Sequence, residues 1–193
     1  MTTKSKKSKT VSKKKKATTM TSDAGFVKFV KELQLIKEEF PGFEIKSKKD
    51  SKFCSFIKFL LTILTFGKCD FDKFSTLFGL TLYVCDSWNN LMWIERYVII
   101  CHERLHLRQI RKCGFGNFTI GKPIFSLLYL FLPLPIFFTF RGFWFEKEAY
   151  QESTRLLKEN KMNYNLDDFV KQFTGPNYFW MFPFKKTVTK WMK

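Results

Sequence analysis

"YVIICHERLHLRQIRKC", residues 97–113, decides how the rest of this chain is read. Around and within it, Leu91, Ile94, Val98, Cys101 and Leu105 recur at three- and four-residue steps, which predicts an amphipathic helix. Ser87 is the expected N-cap, and Gly114 and Gly116 end the helix. The chain's two histidines, His102 and His106, both lie here, four residues apart. That spacing puts both rings on one helix face, about one turn apart. Two imidazoles so placed can reach one metal ion, and Glu103 then stands where a carboxylate can act as a general base toward a metal-bound water. The plain alternative is a surface helix with two solvated imidazoles. Arg104 and Arg108 add charge to this helix, and Arg104 is expected to point to solvent.

A catalytic zinc site uses three protein ligands and leaves one position open. With no third histidine, the third ligand must be a carboxylate. "FEKEAYQES" (145–153) offers Glu146, Glu148 and Glu152 on a second helix predicted over residues 141–160. Gln109, one turn beyond His106, and Tyr150 are candidates for orienting a ligand from behind, and Arg141 for steadying Glu146 or an oxyanion.

The 193 residues suffice for one domain with a hydrophobic core, and 45% are hydrophobic and 19% aromatic. The net charge is +17. Eight of those charges are lysines in "MTTKSKKSKTVSKKKKATT", which contains no acid, so the remainder carries +9. Residues 1–22 read as a disordered tail, because such a composition buries too little apolar area to offset its ordering entropy. The tail is suited to non-specific contact with nucleic acid or an anionic surface, or simply to solubility. No apolar stretch follows the lysines before residue 26, so it is not a secretory signal. Five cysteines without a C-x-x-C pair indicate neither a disulfide framework nor a cysteine zinc site, and fit a reducing compartment.

Outward from the motif, residues 24–40 form a second amphipathic pattern stopped by Pro41-Gly42, followed by a short strand at Phe43 and Ile45. "FCSFIKFLLTILTF" (53–66) reads as a core helix or strand, and Gly79–Cys85 as a strand, suited to a sheet edge. "IFSLLYLFLPLPIFFTF" (124–140) carries no charge, but Pro133 and Pro135 interrupt it. It reads as a buried helix over 124–132 and a bend, with membrane contact as the lesser reading. Asn165 caps a short helix, and Asp167-Asp168 suit that helix's dipole. "GFGNFTIG" is a turn rather than a phosphate loop, and the basic aromatic segments match no base-reading motif.

Taken together, "HERLHLRQ", "SLLYLFLPLP", Arg141 and "EKEAYQES" resemble the small gluzincin-type zinc metallopeptidases predicted in tailed-phage genomes. The resemblance covers residues 76–160. It implies an α+β, minimal zincin-like domain over residues 23–193, mainly helical with a small sheet whose edge, "GLTLYVC", receives an extended peptide. It implies Zn2+ held by His102, His106 and Glu146, with Glu148 as the alternative third ligand, and Glu103 as the catalytic base. The implied function is peptide-bond hydrolysis on a protein or peptide substrate, in a cytoplasmic or virion-associated protein. The alternative is a non-catalytic virion or interaction protein that keeps the fold as structure and binds nucleic acid or anionic surfaces through its tail.

Overall fold

The computed structural model describes the backbone of residues 7–130, 139–175 and 184–192, and the side chains of 23–63, 65–128, 144–175 and 184–192. Among the described residues the chain is mostly helical with one small sheet, an α+β arrangement. The helices are α1 (Lys7–Glu39), α2 (Lys52–Leu64), α3 (Trp93–Cys113), α4 (Phe118–Leu130), α5 (Thr139–Glu159), α6 (Leu166–Thr174) and α7 (Lys185–Met192). The strands are β1 (Glu44–Ser47), β2 (Thr76–Phe78) and β3 (Thr81–Val84), in the order β1-β3-β2.

α3 is the hub. Ile100 and Leu107 on one side join Phe29, Ile36 and Phe40 of the α1 segment and Leu82 and Val84 of β3 in the main core. Val98 and Cys101 on another side pack against Leu156 and Leu157 of α5. Gly25 lets α1 approach the start of α3, since a Cβ there would lie 2.9 Å from the Ile94 nitrogen. Gly121 does the same for α4: its Cβ would fall 1.8 Å from the Ile110 carbonyl oxygen. Only glycine fits there, and this crossing turns α4 back over the face that carries the histidines.

Several expectations change. The backbone of α1 is helical from Lys7, and the side chains of residues 1–22 lie outside the described residues. The packed turns beyond Gly25 provide a nucleus, and each added residue then gains a hydrogen bond without a nucleation cost. The segment 79–85 is not one edge strand. Gly79 (φ 61) opens a two-residue hairpin turn, and β3 pairs with β1 (Ile45↔Leu82, parallel) and with β2 (Leu77↔Leu82, antiparallel). "GLTLYVC" therefore supplies the central strand, and β1 and β2 are the edges. Alternating apolar residues report a half-buried strand but not its place in the order.

Ser87 precedes a 3-10 turn (Trp88–Asn90) and does not cap α3. That helix starts later, where the Met92 backbone N–H donates to Glu95 Oε2 at 2.7 Å. Most of the stretch 53–66 lies in the helix α2, but Cys54 is the only buried residue among the described side chains of α2, so it is not a core element. The first seven residues of the uncharged run 124–140 end α4. Residues 124–128 are half-buried or exposed rather than buried, with Leu127 turned outward. Pro133 and Pro135 lie outside the described residues. Among the described residues no helix is long and apolar enough to cross a membrane. Asn165 caps α6 as expected, its side-chain oxygen accepting from the Asp167 N–H at 3.0 Å.

Candidate metal centre

The site lies where α3 faces α5. On α3, His102, His106 and Gln109 share one side at helical spacing. On α5, Glu146, Ala149, Tyr150 and Ser153 share another. Ala149 is fully buried, and its single methyl allows the two helices to close on each other.

Three side chains converge there. His102 Nε2 and His106 Nε2 are 3.1 Å apart. Glu146 Oε1 lies 3.3 Å from His106 Nε2, and Glu146 Oε2 lies 3.6 Å from His102 Nε2. His102, His106 and Glu146 are thus close enough to hold one metal ion. Donors about 2.0–2.2 Å from a tetrahedral zinc stand roughly 3.3–3.6 Å from one another, and the three separations lie within a few tenths of an ångström of that spacing.

The hydrogen bonds behind the rings set their tautomers. Ser153 Oγ donates to the Ala149 carbonyl at 3.0 Å, so toward His102 Nδ1, 3.1 Å away, it acts as the acceptor. Gln109 Nε2 donates to the Phe145 carbonyl (3.1 Å) and to Glu148 Oε2 (2.9 Å). That orients the amide and turns Gln109 Oε1 to His106 Nδ1 at 2.9 Å. Both rings therefore carry a proton on Nδ1, which leaves each Nε2 facing inward as the atom that can hold a metal or, in the metal-free chain, a second proton. Two Nε2 lone pairs and a buried carboxylate repel one another unless a cation lies between them.

The titration directions express the same demand. Burial disfavours charge on His106, but Glu146 outweighs it, and the imidazole is pushed up to about 9. Burial likewise opposes the Glu146 carboxylate, yet His106 and His102 hold it well below the usual carboxylate range. In the metal-free chain a proton supplies the missing positive charge. Glu103, next to His102 on α3, is buried. Desolvation raises its pKa against the pull of His102 and His106.

The structure separates the two candidate third ligands. Glu146 faces both rings, while Glu148 is exposed and terminates the chain of contacts through Gln109 to His106. Gln109 lies behind His106 as expected, and the Tyr150 ring meets His102 edge-on at 5.0 Å. Arg141 is in α5, but its side chain lies outside the described residues. Ser153 was not singled out from the sequence; its signal is its place seven residues after Glu146, on the same helix face.

The arginines also change meaning. Arg104 does not point to solvent: it pairs with Glu32 at 2.7 Å and Glu39 at 2.8 Å. Arg108 and Arg111 also pair with Glu39, at 2.8 and 2.6 Å. These contacts clamp α1 to the side of α3 away from the histidines.

Comparison with family models, with curated proteins and with solved structures finds no match.

Proposed function

We propose that this chain is a zinc-dependent metallopeptidase-like hydrolase. The observation that carries the reading is the convergence of His102 Nε2, His106 Nε2 and the Glu146 carboxylate, with both ring tautomers set from behind. Zinc held by these three residues would supply Lewis acidity at an open fourth position, the part needed to polarise a peptide carbonyl. Glu103 is assigned as the general base. It follows the first histidine directly, and burial raises its proton affinity above that of an ordinary carboxylate. Ser153 and Gln109 keep the imidazoles from turning, which preserves the geometry through turnover.

The test is metal analysis together with peptide cleavage. Purified wild type should carry about one zinc per chain. His102→Ala should lose it, and Glu103→Gln should keep it while losing turnover on a broad peptide panel. Equal zinc in wild type and His102→Ala would remove the metal site. Zinc retained without Glu103-dependent cleavage would favour the non-catalytic alternative.

A further inference from the structure

α2 is apolar on the side it exposes. Phe56, Phe59 and Ile63 are 57%, 61% and 56% exposed, and Phe53 and Leu60 share their arc. At 100° per residue these five positions span about a third of the helix circumference. That arc lies opposite Cys54, the buried residue by which α2 meets the body of the protein. Phe53 also touches the sheet edge, its ring 4.9 Å from that of Phe78. Just past the helix, Phe66 is 91% exposed at φ 52. A helix this apolar is normally covered on its outward face.

Charge points to what covers it. Lys52 stands at the start of the apolar arc and Lys68 just beyond its end. Both are exposed, and among the described residues neither is in an ion pair. Other lysines nearby are neutralised locally: Lys49 by Asp86, Lys58 by Asp72 and Lys73 by Asp70. Two unpaired cations at the ends of an apolar stripe suit a surface that is apolar below and anionic above. A second copy suits them poorly, because antiparallel α2 helices would set Lys52 of one beside Lys68 of the other. The net charge of +17 further opposes self-association. Thirteen helical residues reach about 20 Å, short of the roughly 30 Å of a bilayer core, so the helix would lie in the interface plane.

We propose that α2 is an interfacial anchor that seats this protein on an anionic lipid bilayer, with Phe56, Phe59 and Ile63 among the acyl chains and Lys52 and Lys68 at the headgroups. The proposal is independent of the metal site.

Flotation of the full chain with vesicles of phosphatidylcholine alone, or mixed with phosphatidylglycerol, tests it. Wild type should float with the mixed vesicles. In 0.5 M NaCl, where adsorption by the lysine-rich N-terminal segment is screened, a fraction should remain bound (about 4 Å Debye length). Phe56→Ser/Phe59→Ser should lower that remaining partition by about tenfold or more. Lys52→Gln/Lys68→Gln should lower binding to mixed vesicles at low salt by about tenfold. Unchanged partition of the phenylalanine variant overturns the proposal, as does equal wild-type binding to neutral and anionic vesicles. So does a result in which the phenylalanine substitutions abolish a dimer and leave vesicle binding intact, since a second copy would then cover the face. Residual flotation of wild type in 0.5 M NaCl, which tail adsorption does not give, keeps the test independent of the variants' folding, and its absence overturns the proposal.

Discussion

Gln109→Leu tests the site from behind. The side chain is buried and makes three contacts: Oε1 to His106 Nδ1, and Nε2 to the Phe145 carbonyl and to Glu148. Leucine fills similar space but strands the His106 Nδ1–H and frees the ring to turn. Loss of a partner behind a metal-bound histidine typically weakens metal affinity about 10–100-fold, or about 1.4–2.7 kcal/mol. At free zinc about one hundred times the wild-type Kd, metal stabilises the fold by about 2.7 kcal/mol. A variant binding about thirtyfold more weakly keeps about 0.8 kcal/mol at the same zinc. At about 2–4 °C per kcal/mol for a chain of this size, the zinc-induced rise in Tm falls from roughly 5–11 °C to roughly 2–3 °C. Thermal melts in EDTA and in buffered zinc, with competition against a chromophoric chelator, measure both quantities. A Gln109→Leu protein whose affinity and Tm shift stay within about twofold of wild type would refute the relay argument.

Four further outcomes follow from the described contacts. Glu146→Gln should abolish zinc binding while Glu148→Ala weakens it by less than Gln109→Leu, checked by the chelator competition; the reverse order would reassign the third ligand. In the metal-free chain the His106 pKa is raised from 6.5 to about 9, so the stabilising charge pair with Glu146 is complete below pH 6.5 and lost as pH rises through about 9. Urea melts in EDTA should therefore weaken across that window, zinc should remove the dependence, and zinc uptake near neutral pH should release a proton. For Glu39, burial is overcome by Arg108 and Arg104, which lower its pKa from 4.5 to about 2, so its stabilising contribution is present above pH 4.5 and lost as pH falls toward 2. Glu39→Gln should cost about 1–3 kcal/mol near neutral pH and flatten the acid limb of the stability profile. Gly121→Ala should cost about 1–3 kcal/mol by denaturant melts, because its Cβ cannot occupy a point 1.8 Å from the Ile110 oxygen unless α4 moves.

What was legible in advance is what short-range geometry governs. The step of four between His102 and His106 forces two imidazoles onto one face of any helix that contains them. The scarcity of histidine then requires a carboxylate partner. Asn165 and the Gly114 stop could likewise be read from local backbone chemistry. Tertiary structure decided what depends on neighbours distant in sequence. Glu146 and Glu148 are two residues apart and chemically alike, and only the approach of α5 to α3 turns one toward the histidines and the other toward Gln109. Arg104 looks like a surface charge until α1 brings Glu32 and Glu39 against it. The apolar stretch 53–66 has the composition of a core element, yet burial is a property of what packs against a helix. Its outward Phe56 and Phe59 remain exposed because no other described element covers them.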